Sequence, residues 1–473
     1  MNINYIKEIN ESRVYDVAEK TPVSLLNKIS AKYNNTIYLK REDLQPIFSF
    51  KCRGAYNKIS SLSSIDTDKG IIAASAGNHA QGVALSASKL RIDAMIVMPT
   101  TTPSIKVESV KKFGVKVKLY GDSFDEAYEY ALEVSNNEGR VFIHPFDDPL
   151  VIAGQGTVAK EIVEQSEEAP DIFFIPVGGG GLISGMSMYL KEHYPNIKVY
   201  GVESEDAPTL FTSLRNGKPT SLDQVGLFVD GCAVKRIGEE TFRISKKYVD
   251  DVILVSIDET CAAIKDIYED TRVMSEPAGA LSIAGMKKFI ANNNVKNKKI
   301  MAVNSGANLN FDRLRHVTER AEIGEGKELL ISVKIPEESG SFRKFCEVIG
   351  KRSISEFNYR YANEKSANVF VGIKTDNIEK DTKCIFDDLK ENKYNFIDLT
   401  QDEVAKLHLR YMVGGKPSSI INEKLFRFEF PEKPGALLNF LNKMREDWDI
   451  TLFHYRNHGS AFGRVLVGIN IGN

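Results

Sequence analysis

Between about residue 35 and residue 310 the chain alternates short apolar runs with stretches of helical period. Nine runs read as strands: Thr36–Leu39, Ile71–Ser75, Ala94–Met98, Val115–Tyr120, Val141–His144, Ile172–Val177, Val199–Glu203, Val252–Ser256 and Lys299–Asn304. Several are apolar almost throughout, the pattern of strands buried on both faces of a parallel sheet. The stretches between them carry helix punctuation. At Pro103–Phe113, Thr102 stands ready to cap, Pro103 takes the first turn and Gly114 ends the helix. Alternation of this kind predicts an α/β domain with open, mostly parallel sheets and helices on both faces. Such folds bind ligands beyond the carboxyl ends of their strands, where the glycine-rich turns of this chain fall.

The pattern changes after Asn308. Residues 320–328 are polar with two glycines and read as a hinge, and beyond them the sequence repeats itself. Ile335-Pro-Glu-Glu-Ser-Gly-Ser341 returns as Phe430-Pro-Glu-Lys-Pro-Gly-Ala436. Ile354-Ser-Glu-Phe-Asn-Tyr-Arg360 returns as Ile450-Thr-Leu-Phe-His-Tyr-Arg456, and Val369-Phe-Val-Gly-Ile373 as Val465-Leu-Val-Gly-Ile469, at an offset of 95–96 residues. Each copy reads strand, turn, helix, strand, strand. The first continues through a helical stretch, Lys380–Asn392, and a short strand near Phe396–Leu399. The second stops at Asn473, so it is expected to be short of a helix and a strand, with an open edge and part of an apolar face uncovered. The expected boundaries are 1–322 for the first domain, 323–327 for the hinge, 328–402 and 424–473 for two α+β modules, and 403–423 for a connector.

Composition narrows the class. A net charge of −2 over 473 residues offers no polybasic footprint for nucleic acid or an anionic membrane. No apolar run approaches the roughly 20 residues that span a bilayer, and the N-terminus lacks a secretory pattern. The five cysteines are scattered without a CxxC, so neither a disulfide framework nor a zinc knuckle is expected, and no metal site. A reduced, cytoplasmic protein is the expectation, with Cys52 a small buried filler.

Three motifs carry chemistry. Ser49-Phe50-Lys51-Cys52-Arg53-Gly54-Ala55 sets Lys51 at the start of a buried helix. Burial next to other cations would depress its pKa and free its lone pair for attack on an aldehyde. Val177-Gly178-Gly179-Gly180-Gly181-Leu182 lies between an apolar strand and a helix, where backbone N–H groups and the helix dipole hold phosphate. A dinucleotide fingerprint needs glycine at i, i+2 and i+5; from Gly178 or Gly179 the last position is Ile183 or Ser184, so the pattern fails. No P-loop motif occurs. An aldehyde and a phosphate on one molecule describe pyridoxal 5'-phosphate. The third motif, Ser75-Ala76-Gly77-Asn78-His79-Ala80-Gln81-Gly82, runs from strand into helix and forms a cradle for a carboxylate, or an ordinary N-cap. His79 reads as a helix-start residue rather than a general base. Ser305, at the carboxyl end of the last strand, is a candidate donor to a pyridine nitrogen.

Together with Glu276-Pro-Ala-Gly-Ala280 and Ser305-Gly-Ala-Asn308, these motifs resemble the fold type II pyridoxal-phosphate enzymes, in the serine/threonine dehydratase branch. The C-terminal copies resemble the ACT-like regulatory modules of biosynthetic threonine dehydratases (threonine ammonia-lyases). The resemblance implies Lys51 as the Schiff-base lysine, beside Phe50. It implies Asn78 on the ring's 3'-oxygen, Gly178, Gly179, Gly180, Gly181 and Leu182 on the phosphate, and Ser305 on the ring nitrogen. Ser75, Ala76, Gly77, Asn78 and His79 would take the substrate carboxylate; Glu276 is given no step. The implied reaction deaminates L-threonine to 2-oxobutanoate and ammonia, the first committed step toward isoleucine. Isoleucine would inhibit and valine oppose it, in a homotetramer.

Two alternatives stay open: a serine dehydratase or serine racemase acting on L-serine, and an amino-acid sensor on the same fold without turnover. The paired C-terminal modules argue against the first, and intact Lys51, Asn78 and Ser305 against the second. A dinucleotide-dependent dehydrogenase is further off, its fingerprint having failed.

Overall fold

All nine apolar runs become strands in the computed structural model, which describes residues 3–338, 340–360, 366–402, 423–431, 436–443, 449–456 and 462–470. The chain divides into two units, Met1–Ala321 and Glu322–Asn473. The first contains β1 (Val23–Leu25), β2 (Thr36–Arg41), β3 (Ile71–Ala74), β4 (Ala94–Met98), β5 (Lys116–Leu119), β6 (Val141–Phe142), β7 (Ile172–Pro176), β8 (Lys198–Ser204), β9 (Asp251–Val255) and β10 (Lys299–Asn304). They form a larger sheet in the order β1-β2-β10-β7-β8-β9 and a smaller one, β5-β4-β3-β6. Every pairing is parallel except that of β1 with β2.

The apolar runs are continuous because both faces of each sheet are covered. In β7, Phe173 and Ile175 enter one core, with Met301 and Val303 of β10; Ile172 and Phe174 enter the other, with Ile300 and Ala302. The smaller sheet divides likewise: Ile71, Ala73, Ile96 and Met98 face one cluster, and Ile72, Ala74 and Val97 another. The expected helix at Pro103–Phe113 spans Ser104–Lys111 instead. Pro103 occupies the cap position and Thr102 makes no capping bond, while Gly114 follows the end at φ +80°. Among the described residues no helix is long and apolar enough to cross a membrane.

The second unit contains β11 (Glu328–Pro336), β12 (Ile354–Arg360), β13 (Ser366–Lys374), β14 (Asn395–Asp398), β15 (Glu423–Pro431), β16 (Asp449–Arg456) and β17 (Phe462–Asn470). The first copy places a helix, Ser341–Ile349, after β11; the second places Ala436–Asn442 after β15. All seven strands join one antiparallel sheet, β14-β11-β13-β12-β16-β17-β15. The copies meet through equivalent strands: Asn358 of β12 faces its own counterpart, His454 of β16, and Phe357 faces Tyr455 as Tyr359 faces Phe453. This register is that of an internal two-fold axis, and Phe357, Phe453 and Tyr455 are fully buried there. A register shift recurs at the same place in both copies, between Ile354 and Glu356 and between Ile450 and Leu452. The residue inside each shift, Ser355 or Thr451, donates its hydroxyl to the first strand's leading carboxylate, Glu328 or Glu423. Of the expected connector, 403–423, only Glu423 is described, and it opens β15; residues 403–422 and the repeat residues Ser339, Glu432, Lys433, Pro434 and Gly435 lie outside the described residues.

Candidate active site

Two motifs some 250 residues apart are tied together by backbone bonds. The Phe50 N–H donates to the Ser305 carbonyl at 3.3 Å, the Ala307 N–H donates to the Phe48 carbonyl at 2.9 Å, and Ser49 and Gly306 form an antiparallel bridge. The strap needs a sharp turn, and Phe48 supplies it at φ +55°. Directly after it the helix Lys51–Ile59 begins, with Lys51 as its first residue.

The Lys51 amine donates to the Pro145 carbonyl at 3.2 Å and lies 5.3 Å from the centre of the Phe50 ring. Burial lowers its pKa to about 8, while the neighbouring Cys232 and Glu276 groups act in the opposite sense. The expected cause therefore needs correcting in part: desolvation lowers the pKa, and Arg53 is not a repelling neighbour. Its guanidinium is fully buried between Glu42 at 2.7 Å and Glu161 at 2.6 Å, the latter also bonded to buried Lys40. Cys52 is buried as expected, its thiol pushed up to about 12 by desolvation.

The glycine run turns from the end of β7 into the helix Gly181–His193, with Gly180 as its cap at φ +92°. A side chain there would be strained and would also meet Thr241 at 2.9 Å. On Gly179 a Cβ would lie 2.1 Å from the Phe146 ring. The loop's carbonyls are engaged elsewhere: Thr241 Oγ1 donates to Gly179 O at 2.8 Å and Thr209 Oγ1 to Gly178 O at 3.3 Å. What the loop offers the pocket is N–H groups, including the first of a helix, which have no partner within it. Thr209 is itself held by buried Glu203, which also accepts from the Leu210 and Phe211 N–H groups; burial raises the Glu203 pKa to about 7.

Asn78 opens the helix Asn78–Leu90 after β3. Its Nδ2 donates to Glu276 Oε1 at 2.6 Å and its Oδ1 accepts from Asn308 Nδ2 at 2.7 Å. Glu276 is buried, with desolvation raising its pKa to about 7. The Gly77 N–H donates to Ser75 Oγ at 3.2 Å. His79 is buried with its ring 2.9 Å from the Ile143 carbonyl, and burial depresses its pKa to about 3. A neutral ring whose N–H is so engaged offers a carboxylate no second ring donor, which leaves the backbone N–H of His79 for that role.

Phe50, Lys51, Asn78, Gly178, Gly179, Gly180, Gly181, Leu182 and Ser305 line one pocket. Ser75, Ala76, Gly77 and His79 stand at the helix start beside Asn78 and are not part of its wall. Sequence reasoning missed Phe146, Pro176, Gly231, Cys232 and Ala278, which also line it, and left Glu276 without a role. For Phe146 a signal existed: Pro145-Phe-Asp-Asp-Pro149 follows β6 and ends in an aspartate cap with proline at N1. Cys232 sits in a short 3-10 turn, Asp230–Cys232, that no period announces.

Residues 14–306 match the family model of pyridoxal-phosphate dependent enzymes, and residues 319–409 and 414–473 that of the C-terminal regulatory domain of threonine dehydratase. The chain is 52% identical over 469 residues to a biosynthetic L-threonine dehydratase of Pasteurella multocida, covering 99% of this chain and 91% of that protein. It is 48% identical over 483 residues to the mitochondrial threonine dehydratase of Saccharomyces cerevisiae, at 99% and 84% coverage. Among solved structures, the processed form of threonine deaminase isoform 2 from Solanum lycopersicum superposes with a TM-score of 0.66 at 48% identity, over 67% of this chain and 92% of that one. The pocket built around Lys51, the glycine loop and Ser305 thus lies in a chain that belongs to the pyridoxal-phosphate-dependent enzymes and, within them, to the biosynthetic threonine dehydratases.

Proposed function

We propose that the chain deaminates L-threonine to 2-oxobutanoate and ammonia, by elimination of the β-hydroxyl as water and hydrolysis of the resulting enamine. The observation that carries this reading is the convergence in one pocket of a buried lysine amine, a loop of free N–H groups and a buried hydroxyl. Each matches one part of pyridoxal phosphate. The amine, with its pKa near 8, suits the aldehyde; Gly178–Leu182 suits the phosphate dianion; Ser305 suits the ring nitrogen; Phe50, Phe146 and Ala278 supply apolar walls. When bound, this cofactor supplies an electron sink for the substrate's Cα.

The chain's own groups do the rest. Lys51 holds the cofactor and, released by substrate, takes the Cα proton. Ser305 offers the ring nitrogen a neutral hydroxyl rather than a carboxylate, which limits carbanion lifetime and disfavours transamination. Asn78 donates to the 3'-oxygen, and the backbone from Ser75 to His79 takes the substrate carboxylate. Threonine over serine rests on one methyl group's worth of pocket, about 1–3 kcal/mol. In the second unit, isoleucine inhibits and valine opposes it, a coupling between distinct sites, within a cytoplasmic homotetramer. The matching regulatory-domain model supports a regulatory role for this unit. The test is steady-state formation of 2-oxobutanoate from L-threonine, with and without isoleucine. Turnover that ignores isoleucine would keep the chemistry and remove the regulation.

A further inference from the structure

We propose that Asn308 is a positioning residue that fixes which end of the Asn78 amide faces the pocket, so that Asn78 meets its ligand only as an N–H donor. The inference rests on the pyridoxal-phosphate reading of the pocket. It starts from a backbone carbonyl. Asn308 Nδ2 lies 2.8 Å from the Ile47 carbonyl, which accepts and never donates, so the Asn308 atom there is the amide nitrogen. The same nitrogen lies 2.7 Å from Asn78, and the Asn78 atom facing it is therefore the oxygen. The other end of Asn78 is then its nitrogen, and it lies 2.6 Å from Glu276 Oε1, a carboxyl oxygen suited to accept.

Both N–H groups of Asn308 Nδ2 are thereby used, and one of the two on Asn78 Nδ2. The remaining Asn78 N–H is the group left for a pocket ligand. A donor at the 3'-oxygen favours the ionised ring oxygen over the protonated one, the form that absorbs at longer wavelength. Asn308 does not line the pocket; it acts through Asn78.

The test uses the full chain loaded with pyridoxal phosphate and reads two quantities, the cofactor dissociation constant and the ratio of long- to short-wavelength absorbance. The variants are Asn308→Ala and Asn308→Asp, measured at alkaline pH, with cofactor-free melting curves to show that each folds. Alanine removes one lock and leaves Glu276. Affinity should fall on the order of three- to tenfold, and the short-wavelength fraction should grow. Aspartate is the smaller change in shape, yet it turns an acceptor toward the Asn78 oxygen and drives the amide to reverse, so it should cost more than tenfold. A wild-type ratio and affinity in both variants would overturn the inference. So would a larger defect in Asn308→Ala than in Asn308→Asp, the order expected of lost packing alone. If the unaltered chain shows no cofactor band, the cofactor reading fails and this inference falls with it.

Discussion

The Lys51 amine donates to the backbone carbonyl of Pro145 at 3.2 Å, in the wall of a pocket whose desolvation brings its pKa to about 8. A carbonyl bond holds the amine in place, and desolvation outweighs the opposing charges of Cys232 and Glu276. Uptake of pyridoxal phosphate by the cofactor-free protein requires the neutral amine. Its rate should therefore rise with pH through about 8 and level off above, followed as growth of the visible band by stopped flow. Lys51→Ala should give no such band, and a band that survives would remove Lys51 from its role.

The glycine loop gives a prediction with a built-in rescue. A methyl on Gly179 collides with the Phe146 ring, so Gly179→Ala should weaken cofactor binding on the order of tenfold or more. Trimming the obstacle in Gly179→Ala/Phe146→Leu should recover part of it. Gly180→Ala should not be rescued by trimming, because at φ +92° its strain lies in the backbone. Equilibrium dialysis of the cofactor separates the cases.

The buried cluster of Arg53, Glu42, Glu161 and Lys40 holds the helix that carries Lys51 against its neighbours. Arg53→Ala leaves Glu42 buried without its cation and Glu161 with Lys40 alone, and should cost about 3–5 kcal/mol of stability in chemical denaturation. A loss under 1 kcal/mol would show that water reaches the cluster.

Glu276 sets a pH dependence of stability. Its folded pKa, about 7, stands above the usual carboxylate value of 4.5, so between these values the folded state holds the extra proton. Its contribution is full below pH 4.5 and is lost as pH rises through 7. In the cofactor-free protein, Glu276→Gln should remove on the order of 3 kcal/mol of that loss. Paired unfolding curves at pH 5 and pH 8 would check it, and parallel pH dependence in parent and variant would contradict it.

Most of the fold was legible because burial on both faces writes itself as continuous apolar runs, as in Ile172–Pro176 and Ile71–Ala74. β1 escaped because three residues at an antiparallel edge, Val23–Leu25, carry no period. The internal repeat was plain, but the pairing of Asn358 with His454 was not, since the symmetry of a register is set by partner strands rather than by local pattern. In the site, Lys51, the glycines and Ser305 were readable because their chemistry demands particular residue types. Cys232 was not, because a short turn carries no period, and the aspartate cap after Phe146 marks a helix start rather than a pocket wall. The strap that joins Phe50 to Ser305 is made of backbone bonds and leaves no trace in side-chain identity.

The most direct measurement is the initial rate of 2-oxobutanoate formation from L-threonine by the full chain loaded with pyridoxal phosphate, beside Lys51→Ala prepared in the same way. Turnover by the parent chain, lost in the variant, is the predicted result. No 2-oxobutanoate from a parent chain that carries the cofactor band would contradict the proposed function.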